Sequence, residues 1–243
     1  MNKSVNIICM KWGDKFPALY VNRLYSMVAR NITTPFRFVC FTDNAEGIRE
    51  EVEIQDLPEL HIPEGLPERG WRKLSVFAKN FGGLTGTTLF LDLDIVIVDN
   101  IDAFFTYSGD FLIAHDKYRP KRLEGNSSVF RFEISQHPEI LDFFVDNFST
   151  IRQEVRHEQA YLSREMHKLN KLSFWPDDWV PSFKYKCAPS WIKSWTQAPS
   201  IPEGAKIILF HGLPNPPEAM KGISGKWYRH IKPSPWIKEY WTE

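Results

Sequence analysis

Two carboxylates, Asp92 and Asp94, interrupt the apolar run from Thr88 to Val98. A buried strand gains nothing from charge, so this pair marks a site. On a continuous strand, side chains two apart share a face at roughly 6–7 Å separation. Both carboxylates then lean toward one hard divalent cation or its water shell. Unpaired charge away from water is costly, and a compensating cation is the natural inference. The competing reading is a strand-end turn in which Asp92 and Asp94 merely cap loop amides.

The elements that must position this pair follow from hydrophobic patterning. Val5 to Met10 reads as a buried strand. Asp14 and Pro17 open a helix whose apolar face is Leu19, Leu24, Met27 and Val28, and Phe36 to Thr42 is a second strand. Strand, helix, strand at this spacing is a βαβ unit, whose ligands gather at the strands' carboxyl ends. The edge from Cys9 to Gly13, with Met10, Lys11 and Trp12, is therefore a candidate ligand edge. Val52 to Asp56 reads as a third strand, followed by a loop of breakers at Pro58, Pro63, Gly65, Pro67 and Gly70. A helix is predicted from Trp71 to Phe81, stopped by Gly82 and Gly83, ahead of the aspartate strand.

Beyond residue 100 the pattern is mixed. Phe111 to His115 and Ser127 to Phe132 read as strands, and Pro138 to Ile151 and Glu158 to Leu169 as helices. Lys206 to Phe210 reads as a last strand ending at His211-Gly212. The expectation is one α/β domain over residues 1–243, a mixed central sheet flanked by helices. Residues 1–100 would then form its nucleotide side and residues 101–243 its second-substrate side.

Composition narrows the partners. The 243 residues carry no net charge, which argues against nucleic acid and leaves any anion to a local cluster of Lys and Arg. Cys9, Cys40 and Cys187 are odd in number and scattered, as reduced thiols of a cytoplasmic protein are. Neither a cleavable leader nor eighteen consecutive apolar residues is found, so no transmembrane segment is expected.

Four segments, in order, resemble the GT-A class of nucleotide-sugar glycosyltransferases, most closely the glycogenin-like group with the bacterial lipopolysaccharide galactosyl- and glucosyltransferases. Trp71-Arg-Lys-Leu-Ser75 resembles the helix whose Lys contacts the donor, which makes Lys73 that residue. Phe90 to Asp102 resembles the Asp-x-Asp segment and the short apolar helix after it, with Leu93 joining the nucleotide-sugar contacts. Asn126-Ser-Ser-Val129 resembles Asn-Ser-Gly-Val, with Ser128 in place of Gly, and Glu158-Gln159 resembles an Asp-Gln pair. His211, at a strand end, resembles the third metal ligand. The Lys-Pro-Trp that usually follows is absent, and Lys226 in Gly225-Lys-Trp227 is the nearest substitute.

The resemblance implies a GT-A (Rossmann-like) domain and a UDP-sugar donor. It implies Mn²⁺, or Mg²⁺, on Asp92, Asp94 and His211, a ligand set that suits those ions. Lys73, Lys226 and Arg229 would meet the phosphates. Tyr20 or Trp12 would stack on uracil, and Asp43 would accept from base or ribose. Asn126, Glu158 and Gln159 would act at the sugar, with retention of configuration and the diphosphate taking the acceptor's proton. The acceptor would be a glycan or a lipid-linked saccharide. The aromatic-basic tail from Lys226 to Trp241 is either core packing, a lid over the diphosphate, or a peripheral contact at the inner face of a membrane.

Two alternatives stand beside this reading. Asp92-Leu-Asp-Ile-Val96 also fits the signature of haloacid-dehalogenase-type phosphatases, but those carry it after their first strand, whereas here a βαβ unit and a third strand come first. A non-catalytic binder of nucleotide-sugars would keep the same pocket.

Overall fold

The computed structural model describes residues 4–60, 70–116 and 123–243. Strand β1 (Val5–Lys11) is wholly buried and pairs in parallel with β2 (Phe36–Thr42). The helix between them is α1 (Ala18–Asn31). Strand β3 (Glu53–Asp56) extends the sheet beyond β2, and β4 (Thr87–Leu91) joins the other side of β1, again in parallel. Then the direction reverses. Strand β7 (Gly125–Glu133) runs antiparallel to β4 and to β6 (Phe111–His115), and β8 (Leu172–Phe174) completes the order β3-β2-β1-β4-β7-β6-β8.

This topology decides where a ligand can bind. After β1 the chain builds outward through β2 and β3, then returns to place β4 on β1's other side. The crevice at the carboxyl ends of β1 and β4 is thus a topological switch point. Because β7 is antiparallel to β4, with Leu91 opposite Val129, its first residues face the same crevice.

Two apolar layers sandwich the sheet. On one side lie α1, the ribbon of β5 (Ile95–Ile97) with β9 (Ile207–Leu209), α2 (Ala103–Thr106) and the chain's last rings. On the other, a 3-10 helix (Trp71–Phe77) packs with α3 (Glu139–Asp146), α4 (Phe148–Glu154) and α5 (Glu158–Lys168). Trp71 stacks on Phe144 there at 5.0 Å. Helices α6 (Pro216–Lys221) and α7 (Trp236–Tyr240) close the chain.

Several expectations need correction. The run from Thr88 to Val98 is not one strand. It breaks at Asp92, whose N–H gives a last bond to the Ser128 carbonyl at 2.9 Å, and Leu93-Asp94 turns the chain into β5, which pairs with β9. The two aspartates therefore sit at a strand end and not on one strand face. A straight continuation would have driven both charges into the apolar layer, whereas the turn leaves them at the crevice. The helix expected over 71–81 is the shorter 3-10 helix, and the one expected over 138–151 breaks at Asn147. Leu19, expected on the buried face of α1, is exposed, and Tyr20 and Val21 are buried in its place. Of the breaker loop, Pro63, Gly65 and Pro67 lie outside the described residues.

Candidate active site

Lys73 is the hub of the switch-point crevice. Its backbone lies in the 3-10 helix and its side chain is buried. The ammonium is 2.7 Å from one carboxylate oxygen of Asp92 and donates to the other at 2.8 Å. It reaches the Ser127 carbonyl and hydroxyl at 3.3 and 3.4 Å, and lies 4.0 Å from Glu158. Burial alone would push its pKa down, but the charges of Asp92 and Glu158 outweigh this and hold the ammonium above its ordinary value.

Glu158 opens α5 and is buried, accepting a bond from the Ser127 hydroxyl at 2.5 Å. Gly70 allows this approach. Its φ is +85°, and a Cβ there would stand 2.9 Å from a Glu158 carboxylate oxygen. Asp92, Lys73, Ser127 and Glu158 thus form one polar chain that ties the two halves of the protein together. Glu158 is thus tied to the first hundred residues through Lys73, a link the sequence reading did not foresee.

Asp94 stands apart. It is 8% exposed, and burial followed by the charge of Asp92 pushes its carboxyl up to about 7. A carboxyl that desolvation and a like charge hold this far from its ordinary value is one a bound cation would relieve, so the Asp92 and Asp94 pair fits a metal. The full expected set is not gathered, however. Among the described residues no group of three or more His, Cys, Asp or Glu is close enough together to hold a metal ion.

His211 lines an open cleft of about 380 Å³ together with Asn126, Glu158, Gln159, Lys184 and Tyr185. Its Nε2 lies 2.9 Å from the Ser182 hydroxyl. Gln159 donates to Glu124 at 3.0 Å, and Asn126 accepts from the Ser128 N–H at 2.9 Å, inside β7 where its register with β6 shifts. Lys184, on a π-helical turn (Phe183–Cys187), donates to the His211 carbonyl. Neither Lys184 nor Tyr185 was singled out from the sequence. They lie in a stretch with no regular periodicity, and their basic and aromatic character beside His211 appears only in three dimensions.

The remaining candidates divide. Lys11 is buried at the end of β1 and donates to the Asn44 carbonyl at 3.2 Å; Asp43 accepts from the Gly13 N–H at 2.9 Å. These contacts clamp the ends of β1 and β2. Met10 is buried, and Trp12 and Leu93 pack at the edge of the two cores. Tyr20, offered as a stacking face for a base, packs instead between Phe16 at 4.8 Å and Trp241 at 5.0 Å. Trp241 is drawn there because α7 folds the chain's end over α1. Lys226 is exposed, its ammonium 5.5 Å over the Tyr228 ring.

No protein-family model matches the sequence, and comparison with curated proteins finds no match either. Solved structures do match in fold. The galactosyltransferase LgtC, in complex with donor and acceptor sugar analogues, superposes with a TM-score of 0.61 at 10% identity over 91% of both chains. An active-site variant of LgtC gives 0.57 at 11% identity, over 87% of this chain and 89% of that one. The bifunctional glycosyltransferase WbbM gives 0.60 at 9% identity over 89% of this chain, which spans 47% of WbbM. This protein has the GT-A fold.

Proposed function

We propose that the protein is a metal-dependent glycosyltransferase that moves a sugar from a UDP-sugar to a glycan or lipid-linked saccharide, with retention of configuration. The observation that carries this reading is the carboxylate pair at the carboxyl end of β4, linked through Lys73 to Glu158 at the rim of the cleft. Breaking a bond between a sugar and a diphosphate loads negative charge on the leaving group, and stabilising that charge is the main demand. Asp92 and Asp94 would hold Mn²⁺ or Mg²⁺, which supplies that neutralisation when bound. Lys73 adds fixed positive charge and orients Asp92. Gln159 and Asn126 offer amide groups to sugar hydroxyls from the cleft wall. Glu158, bonded to Ser127, sets the position of Lys73.

A donor panel tests the reading, with free nucleotide scored by chromatography in the presence of Mn²⁺, with and without acceptor sugars. UDP-sugars should be consumed and EDTA should stop the reaction. Full transfer in EDTA, or a nucleoside monophosphate-sugar as sole donor, would sink it. Binding of UDP without turnover of any donor would leave the non-catalytic binder, and release of phosphate from a monoester the phosphatase. Gln159→Ala should lower turnover by about tenfold or more, the value of one hydrogen bond made in the transition state, while UDP affinity stays unchanged because UDP lacks the sugar. Proton NMR of the product reads the anomeric configuration.

A further inference from the structure

The start of β7 holds the start of α5 at two successive residues. Ser127 bonds the Glu158 carboxylate, and Glu124, one residue ahead of β7, bonds the next side chain, accepting from Nε2 of Gln159 at 3.0 Å. Glu124 is 2% exposed, and a carboxylate is costly to bury unless its bonds are put to use.

The backbone around Glu124 is fixed as well. Its carbonyl accepts from the Asp116 N–H at 3.1 Å, and the next residue fits only as glycine, since a Cβ on Gly125 would stand 2.6 Å from Ile113. The Gly125 N–H donates to Oγ of Ser163 at 2.8 Å, and that hydroxyl donates to the Gln159 backbone carbonyl at 2.7 Å. Gln159 is thus held by its backbone through Ser163 and by its amide through Glu124. Its side chain still lines the cleft beside Asn126.

The amide fits this clamp one way round. A carboxylate accepts and does not donate, so Gln159 must turn its NH2 to Glu124; the reverse would set two acceptor oxygens against each other at 3.0 Å. Among the described residues no other side chain bonds this amide, and its carbonyl oxygen is left to a ligand. That oxygen is the negative end of the amide dipole. It accepts from a sugar hydroxyl and favours positive charge growing on the sugar as the diphosphate leaves, whereas an NH2 in its place would oppose that charge.

We propose that Glu124 is a positioning residue that fixes the Gln159 amide with its oxygen toward the donor sugar. The orientation rests on the contacts alone; its value at the sugar rests on the glycosyltransferase reading.

Two measurements test this. In protein carrying isotopically labelled glutamine, the Gln159 NH2 signal, assigned by its loss in Gln159→Ala, should show a downfield proton and slow exchange with water by NMR. Both should be lost in Glu124→Met. In steady-state transfer from a UDP-sugar, Glu124→Met should lower kcat by about tenfold, the value of a hydrogen bond to a charged group, with donor KM within about twofold of the parent's. In the Gln159→Ala protein the same substitution should cost nothing further, because a residue that acts through Gln159 has nothing left to act on. Glu124→Gln has the same shape and an oxygen able to accept, and should recover part of the loss. If Glu124→Met fails to fold, Glu124→Gln carries the test, its smaller loss again vanishing in Gln159→Ala. Additive losses in the double variant, a raised KM with unchanged kcat, or an NH2 signal indifferent to Glu124 would overturn the proposal. An NH2 signal that behaves as stated, with no donor turned over, would leave the orientation standing and overturn the proposed function alone.

Discussion

Asp94 and Asp102 lie eight residues apart, on either side of β5, and their surroundings treat charge in opposite ways. Burial would raise both. At Asp102 it is outweighed by hydrogen bonds from Thr34, Asn100 and Thr33, which hold the carboxyl well below the ordinary carboxylate range. The Thr33 hydroxyl donates at 2.7 Å and the Thr34 N–H at 2.9 Å, so that Asp102 knots the end of α1 to the start of α2. At Asp94 burial is reinforced by Asp92, and the carboxyl is pushed up to about 7. A carboxylate with its donors filled is structural. One buried beside a like charge is prepared for a ligand, and the lesson is that burial and the donors act together: Asp94 is buried against Asp92, whereas Asp102 is only partly buried and ringed by donors.

The sharpest way to break this comparison is activity. Asp92→Asn and Asp94→Asn should each cost on the order of 10²–10³ in turnover or more. Asp102→Asn should leave turnover of the folded protein close to the parent's. Equal losses in all three, at matched folded fraction, would erase the distinction.

Stability should run the other way. Asp102→Ala removes several bonds from one acceptor and should cost about 1–3 kcal/mol in urea unfolding. Because its folded pKa is depressed, the contribution of Asp102 is present above the unfolded value near 3.8 and lost as pH falls below it. An Asp102→Ala protein as stable as the parent at pH 7 would show the knot to be idle.

The smallest effect concerns Asp94 in metal-free protein. Its folded pKa is raised from 3.8 to about 7, so its protonated form favours the native state. That contribution is full below about 3.8 and lost as pH rises through about 7. Asp94→Asn should flatten this part of the pH–stability profile and make the metal-free protein more stable than the parent above pH 7. A profile unchanged by the substitution would mean that Asp94 is not held apart from solvent as described.

How much of this was legible beforehand differs by region. Strands β1, β2 and β6 match their expected bounds to within a residue, since each is a short, nearly continuous apolar run that only a buried strand explains. Strand β8 was missed. Its three residues, Leu-Ser-Phe, are half-buried and too few for their alternation to mark a strand, and it exists because β6 offers it a parallel edge. Helix α6 was also missed, although Asn215 and Glu218 form a capping box around Pro216 and Pro217, a signal visible in sequence.

The sequence by itself determined that charge stands where an apolar strand should run, that a βαβ unit precedes it, and that Glu158 and Gln159 open a helix far along the chain. These are local facts of pattern and composition. Only the tertiary structure decided that Asp92 ends its strand and meets Lys73, that the antiparallel β7 delivers Ser127 to that pair, and that Glu158 joins from α5. It also turned Tyr20 from a candidate stacking face into core. The physical reason is the same in each case. Pairing a buried charge and filling a packed layer depend on partners distant in sequence, and no local pattern records which partner arrives.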